Sequence, residues 1–208
     1  MKNLIKKNNK GFTLVEALVT LAVFVLLEIG VTTVIQVMYR NYNQQSSALN
    51  NVDMARKVSF NFANEIRNAS FGNDGSYPIN QAGDNQIIFY SSHDLESGLV
   101  DRIRYFISGT TLYKGIITPS GSPFKYIASS EIVGSVETNL ANDGTPIFSY
   151  YGSDFNGGGN TLSQPINVTN VKFVKINLII ANQVGNETVN STITAGGTVR
   201  NLKTNLGN

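Results

Sequence analysis

The chain has no cysteine and a single histidine among its 208 residues. The lack of cysteine excludes disulfide bridges, thiolate-bound zinc and a cysteine nucleophile. The one histidine, His93, stands beside Asp94 in a polar segment, where an exposed side chain is a better interpretation than a catalytic base. The sequence also lacks a Gly-x-Ser-x-Gly elbow, a phosphate-binding loop and a paired-histidine zinc motif. We therefore predict a protein that is not an enzyme and that holds no cofactor or metal.

Basic residues are too few and too unevenly placed to predict a nucleic-acid-binding surface. Four lysines precede Phe12 in a stretch without acids, and the rest of the chain has twelve basic and fourteen acidic residues, a balance of −2. That balance does not suit a protein that neutralises a phosphate backbone. Arg102 and Arg104 share one face of a predicted strand, which is a weak DNA-binding footprint, and a solvated strand face is the better alternative. Nucleic acid is not predicted as a partner.

Proline is absent before Pro78, so nothing in the sequence forces a break in a long N-terminal helix. Residues 12–39 form an apolar run in which only Glu16 and Glu28 are charged. Because about 20 apolar residues span a bilayer core, this run is predicted to cross a membrane once. It is longer than the apolar region of a secretory signal, which has about 7–15 residues. The lysines before it place the N-terminus in the cytoplasm and the C-terminal part outside.

The helical pattern continues beyond the apolar run as a stripe on one face. The stripe has apolar or small residues at steps of three or four: Leu49, Val52, Ala55, Ser59, Phe62, Ile66 and Ala69. The remaining positions around the helix, Glu65 among them, are predicted to be polar and outside the stripe. We predict one helix of about 55 residues, near 80 Å long. Gly, Asn and Pro residues in the loop 72–78 are its predicted stop signals.

Short alternating segments separated by turns follow the helix and predict β-strands. The strands are predicted at 86–91, 101–107, 111–117, 131–136, 147–151, 170–181, 189–194 and 198–203. Gly109 is expected in a tight hairpin turn, and the alternation from Val174 to Ile180 predicts a central strand. The predicted fold class is α+β, with the second half of the long helix packed on an antiparallel β-sheet.

The segment Lys10-Gly-Phe-Thr-Leu-Val-Glu16, between the lysines and the apolar run, resembles the N-terminal motif of type IV prepilins and type II secretion pseudopilins. The resemblance implies cleavage by prepilin peptidase between Gly11 and Phe12, N-methylation of Phe12, and a role for Glu16 in filament assembly. It divides the chain into a leader (1–11), a transmembrane and assembly half of the helix (12–39), an amphipathic half (40–71) and an extracytoplasmic β-rich domain (72–208).

A looser similarity connects the remainder of the chain to the J-type minor pseudopilins and the W-type minor pilins. Residues 55–69, 101–114 and 198–202 are similar to a helix end, a hairpin and a C-terminal strand of that subclass. The missing helix-kinking proline of many major pilins also favours a minor subunit.

The resemblance implies a structural subunit of a type IV pilus-like or type II secretion filament, near the tip, where it helps to initiate assembly. Its expected partners are prepilin peptidase, other major and minor pilins or pseudopilins, and an inner-membrane assembly platform. An adhesin or DNA-uptake minor pilin is the alternative function.

Three acidic features have different interpretations. Glu16 would pair with the amine that cleavage creates on Phe12 of a neighbouring subunit, or it would cap its own helix. Glu28, about 120° from Glu16 around the helix, has no role in the motif; a cation on a neighbouring subunit and no specific role are both open. Asp154 begins an Asp-x-Asn-Gly fragment within 154–160 that resembles part of a calcium loop, but a flexible polar turn is the better interpretation.

Overall fold

The computed structural model describes residues 11–92, 98–184 and 187–200. Contacts divide the chain into two compact units, Met1–Gln44 and Gln45–Asn208. The predictions for the leader before Gly11, and for His93 and Asp94, concern residues outside the described part of the chain.

One α-helix, α1, runs from Leu14 to Arg67 over 54 residues and confirms the predicted long helix. With no proline in this stretch, every residue can contribute its N–H to the helical ladder. The helix ends five residues before Gly72, the first of the predicted stop signals. It ends there because the chain joins the sheet: the Ser70 N–H donates to the Tyr90 carbonyl at 2.9 Å.

The larger of two antiparallel sheets has five strands in sequential order. Its strands are β1 (Ile79–Ala82), β2 (Gln86–Ser91), β3 (Asp101–Ser108), β4 (Thr111–Ile117) and β5 (Ile132–Glu137). Strands β3 and β4 form the predicted hairpin, in which Ser108 pairs with Thr111. Gly109 in its turn has a φ of 60°, a left-handed conformation that glycine adopts without steric cost.

The second sheet has three antiparallel strands. They are β6 (Phe148–Tyr151), β7 (Phe173–Val184) and β8 (Glu187–Thr198), with β7 in the centre. On β7, Val174, Ile176, Leu178 and Ile180 are all fully buried, which confirms the predicted central strand. Alternate residues of a strand point to opposite faces, so this one face of β7 supplies a continuous strip of the core.

Strand β1 is not among the predicted strands, and β8 differs from the two strands predicted at 189–194 and 198–203. Strand β1 reads Ile-Asn-Gln-Ala at a sheet edge and lacks the alternation that marks a half-buried strand. The sequence predicts no strand at 195–197, where Gly196 and Gly197 stand, and of the strand predicted at 198–203 only Thr198 belongs to β8, because Val199 and Arg200 follow its end. In the structure these glycines lie within β8, and the side chain that Gly197 lacks would stand 2.6 Å from the Ala63 carbonyl oxygen of α1. Residues 201–203 of that last predicted strand lie outside the described part.

The core of the unit Gln45–Asn208 is built around Phe62 of α1, which is completely buried. Its ring packs edge-on against Tyr105 at 5.3 Å and Phe89 at 6.1 Å, and lies 5.5 Å from Phe148. Phe89 and Tyr105 come from the five-stranded sheet and Phe148 from the three-stranded sheet, so one helical side chain joins both sheets. The prediction of a helix packed on antiparallel structure is confirmed, with two sheets in place of one.

The buried stripe of α1 is shorter than predicted. Leu49 is 66% exposed and Val52 is half-buried, while Ala55, Ser59, Phe62 and Ile66 are buried as predicted. Leu49 and Val52 remain accessible because they line an open groove against Val184 and Val189 at the end of the β7 and β8 hairpin.

Candidate functional site

The residues that the sequence motif singles out lie just before α1 and in its first turn. Gly11, Phe12 and Thr13 precede the helix, and all are exposed. The Thr13 hydroxyl accepts a hydrogen bond from the Glu16 N–H at 3.3 Å, and the Thr13 carbonyl accepts from the Ala17 N–H at 3.1 Å. Thr13 therefore occupies the capping position, where a hydroxyl satisfies one of the free N–H groups of the first turn.

The Glu16 carboxylate takes no part in this cap. Within residues 11–92 it has no hydrogen-bond or ion-pair partner, and its side chain is exposed. Self-capping by the carboxylate was one of the two interpretations of this residue, and the Thr13 hydroxyl fills that role. The acid retains the weaker electrostatic benefit of lying near the positive end of the helix.

The segment that follows is mainly apolar, and it is exposed on every side. An 18-residue window of α1 has a mean hydropathy of 2.4, and none of it is buried by the rest of the chain. By length and composition α1 can cross a membrane. Glu28 lies within this segment, is exposed, and has no side-chain partner among the described residues.

The structure corrects the interpretation of Arg102 and Arg104 as a solvated strand face. Arg104 binds the Glu131 carboxylate through Nε to Oε1 at 2.8 Å and Nη2 to Oε2 at 2.5 Å. Arg102 Nη1 lies 3.9 Å from the same carboxylate. Gly115 leaves the space for the Glu131 side chain, since a Cβ at this position would stand 2.5 Å from Glu131 Oε1. Both arginines are only about a quarter exposed, so they offer no free cationic patch to DNA.

The two arginines lower the pKa of Glu131. Its hydrogen bonds from Arg104 lower the pKa of the carboxyl, burial opposes that change, and the charges of Arg104 and Arg102 lower it further. The Arg104 guanidinium also lies 3.9 Å above the Phe106 ring, which fixes its plane.

A second charged cluster was not predicted from the sequence, because Glu65 lies outside the predicted apolar stripe. The Glu65 carboxylate accepts hydrogen bonds from the Tyr105 hydroxyl at 2.9 Å and from Lys114 Nζ at 2.5 Å. The Glu65 and Lys114 side chains are each 14% exposed. Burial, followed by the Glu65 charge and hydrogen bond, raises the pKa of Tyr105, so the phenol stays a donor. The sequence offered one sign of this cluster. Lys114 occupies an inward position of a strand, and a buried lysine is almost always paired with an acid.

The loop 154–160 is held by aromatic packing. The Phe155 ring lies 4.4 Å from both Tyr151 and Phe173, the latter in a stacked arrangement. In the described ranges of the chain, no three His, Cys, Asp or Glu residues come together as a group that could hold a metal ion.

The fold and the N-terminal turn together define a class of protein with one long helix, which is apolar and exposed at its start and packed at its end on antiparallel sheets. Residues 6–27 match the family model of the prokaryotic N-terminal methylation motif. No curated protein matches the chain at a significant level.

The motif is type IV prepilin-like and supports the pilin and pseudopilin family, whose fold the architecture matches. It implies processing by prepilin peptidase and assembly with other pilins, and it suggests a structural subunit in place of an enzyme. With the long apolar helix, it fits a single-pass protein anchored in the inner membrane.

Proposed function

We propose that the chain is a minor pilin or pseudopilin. Prepilin peptidase cleaves it between Gly11 and Phe12, and Phe12 is N-methylated. The processed subunit assembles through Glu16 into a type IV pilus-like or type II secretion filament, at or near the tip, where it helps to initiate assembly. The J-type pseudopilins and W-type pilins are the subclass to which we assign it.

The carboxylate of Glu16, which has no partner among the described residues, carries this proposal. Its own helix does not use it, because Thr13 provides the cap. An acid held among apolar helices in a filament needs a positive partner, since an unpaired charge in a low-dielectric setting is strongly disfavoured. Cleavage before Phe12 creates such a cation, four residues before Glu16, which is about 6 Å along the helix axis. A neighbouring subunit shifted by a short axial step presents its amine to this carboxylate.

The distribution of charge supports the membrane orientation. The lysines before Phe12 lie on one side of the apolar run, and Arg40 alone directly follows it on the other. The positive-inside rule therefore keeps the leader in the cytoplasm, where the peptidase must reach it, and places the β-sheets outside.

The minor-subunit assignment is supported by the uninterrupted helix. Helix α1 has no proline over its 54 residues and shows no break from Leu14 to Arg67. The helix end and the β3 and β4 hairpin, which resemble the J-type and W-type subclass in sequence, are both formed.

Substitution of Glu16 tests the proposal. We expect Glu16→Ala to be inserted and cleaved normally but to be lost from filaments, because it removes the acid without touching the Gly11 to Phe12 bond. An unpaired charge inside a membrane costs about 2.5–3.5 kcal/mol, so incorporation into filaments should fall on the order of a hundredfold. Leader removal is followed by gel mobility, and incorporation by the amount of chain in sheared filaments.

Asp53→Asn is the matched control, since Asp53 lies on the same helix and makes only an exposed contact with Arg56. It should be processed and incorporated like the wild type. Normal incorporation of Glu16→Ala would overturn the assembly role.

A further inference from the structure

The membrane segment of α1 has two different faces around Glu28. One face is lined by Val25, Glu28, Ile29, Thr32, Thr33 and Gln36. The opposite face is lined only by apolar residues: Leu26, Leu27, Gly30, Val31, Val34 and Ile35. Both sets follow the helical spacing of three to four residues, and all of these residues are exposed.

The polar face presents acceptors more than donors. The Thr32 hydroxyl donates to the Glu28 carbonyl at 2.8 Å, and the Thr33 hydroxyl donates to the Ile29 carbonyl at 2.8 Å. Each hydroxyl has one hydrogen to give, so its remaining capacity is to accept. Together with the Glu28 carboxylate, these oxygens form an acceptor-rich strip, and the Gln36 amide is the remaining donor.

The two faces differ in how well they tolerate contact with lipid chains. The face of Val31 and Val34 can meet lipid chains at no cost, whereas a carboxylate facing lipid is expensive. Polar side chains of membrane helices are instead found against other helices, where they hydrogen-bond. The polar face is therefore the one that meets protein.

The occupant must bring a cation. Residues 11–39 contain no Lys or Arg, so two copies of this chain in register would place Glu28 against Glu28. Bringing Arg40 of a second copy to Glu28 requires a shift of twelve residues, about 18 Å along the axis. A different chain with a basic residue at the depth of Glu28 meets the requirement directly.

We propose that the face formed by Glu28, Thr32 and Gln36 binds the membrane helix of another pilin-class subunit, through a Lys or Arg side chain at the depth of Glu28. The inference rests on the proposed function, because it requires a filament of several subunits. It assigns a partner to the acid that the N-terminal motif leaves without a role.

Photo-crosslinking from the two faces tests this proposal. A photoreactive phenylalanine analogue is placed at Thr32 on the polar face, or at Val31 or Val34 on the apolar face, in the full chain. The cells make the complete set of filament proteins, and adducts are identified by mass spectrometry. We expect an adduct with a different pilin-class subunit from Thr32, at a residue near a Lys or Arg, and only background from Val31 and Val34.

The charge of Glu28 is tested in the same strain. Glu28→Gln keeps the shape of the side chain, and we expect it to lower the Thr32 adduct by about threefold to tenfold, the range of interhelical polar contacts. Glu28→Asp should retain most of the adduct. Equal adducts from both faces, an adduct insensitive to Glu28→Gln, or an adduct with a second copy of this chain alone would each overturn the proposal.

The two proposals fail separately. Normal filament incorporation of Glu16→Ala contradicts the assembly role itself. Loss of incorporation in Glu16→Ala, together with an unchanged Thr32 adduct in Glu28→Gln, contradicts only the role of Glu28. Leader cleavage is measured in every variant, so a chain that is not inserted is recognised before its adducts are compared.

Discussion

Helix α1 contains two stretches whose side chains have opposite surroundings. Residues 14–43 are the more apolar stretch, yet all of them are exposed. Between residues 55 and 66 the helix is more polar, yet Ala55, Phe62 and Ile66 are completely buried. A helix that is apolar over most of its circumference has no single stripe to pack on a sheet and needs lipid or other helices around it, whereas one apolar stripe suits a sheet. The arrangement of apolar residues, more than their number, decides which stretch the fold buries.

The carboxylates of the same helix differ in the same way. Glu16 and Glu28 have no side-chain partner among the described residues, while Glu65 accepts hydrogen bonds from Tyr105 and Lys114. An acid whose partners are in its own fold stabilises that fold. The acids without one lie in an apolar stretch, and for these we propose partners in other molecules.

The largest expected difference in stability between the two stretches comes from replacing a phenylalanine in each. Phe62→Ala should lower the free energy of unfolding by about 3–5 kcal/mol, since it removes a buried ring that touches both sheets. Phe24→Ala is the matched control: Phe24 is 66% exposed, and its loss should change the value by less than about 0.5 kcal/mol. Denaturant unfolding of the full chain in detergent, followed by near-UV circular dichroism of the tyrosines, measures both. Similar effects of the two variants would contradict the comparison.

The next largest difference in stability comes from replacing a glycine in the β-sheet unit and, as its control, a glycine in the apolar stretch. Gly197→Ala should cost about 1–3 kcal/mol, because the new Cβ would stand 2.6 Å from the Ala63 carbonyl oxygen and 3.3 Å from Ile66. A Cβ at Gly30 meets nothing within 4 Å, so Gly30→Ala should leave the unfolding midpoint of the β-sheet unit unchanged. The same unfolding measurement applies. A neutral Gly197→Ala would show that the helix and β8 can separate without cost.

The smallest effect concerns the pH dependence of stability. The pKa of Glu131 is lowered in the folded chain, so its ionised form stabilises the fold above its unfolded pKa, near 4.3. This stabilisation is lost as the pH falls through the lowered folded value. Glu131→Gln should therefore reduce stability by about 1–2 kcal/mol at pH 7, and the difference from the wild type should shrink below pH 4.

Glu16→Gln is the control for this titration, because Glu16 belongs to the other compact unit and its side chain has no partner among the described residues. Its unfolding midpoint should match the wild type at each pH. A Glu131→Gln difference that stays constant down to pH 3 would contradict the assigned ion pair.

Local patterns predicted the elements with the clearest periodicity. The long helix, the hairpin around Gly109 and the central strand through Ile176 all follow from spacing that a single stretch of chain displays. Strand β1 has no such spacing, and it forms because β2 offers an edge with free hydrogen-bonding groups. The glycines of β8 look like a break in the sequence, but Gly197 leaves room for the Ala63 carbonyl of α1 and Gly196 leaves room for the Phe173 ring of β7.

The sequence by itself determined the long apolar segment and the N-terminal methylation motif, since length, apolarity, the lysines and the order of residues from Lys10 to Glu16 are properties of contiguous residues. Only the tertiary structure decided that Glu65 joins Tyr105 and Lys114, and that Glu131 binds Arg104. Such contacts join residues tens of positions apart. Their energies depend on distance and burial, which exist only once the chain has folded.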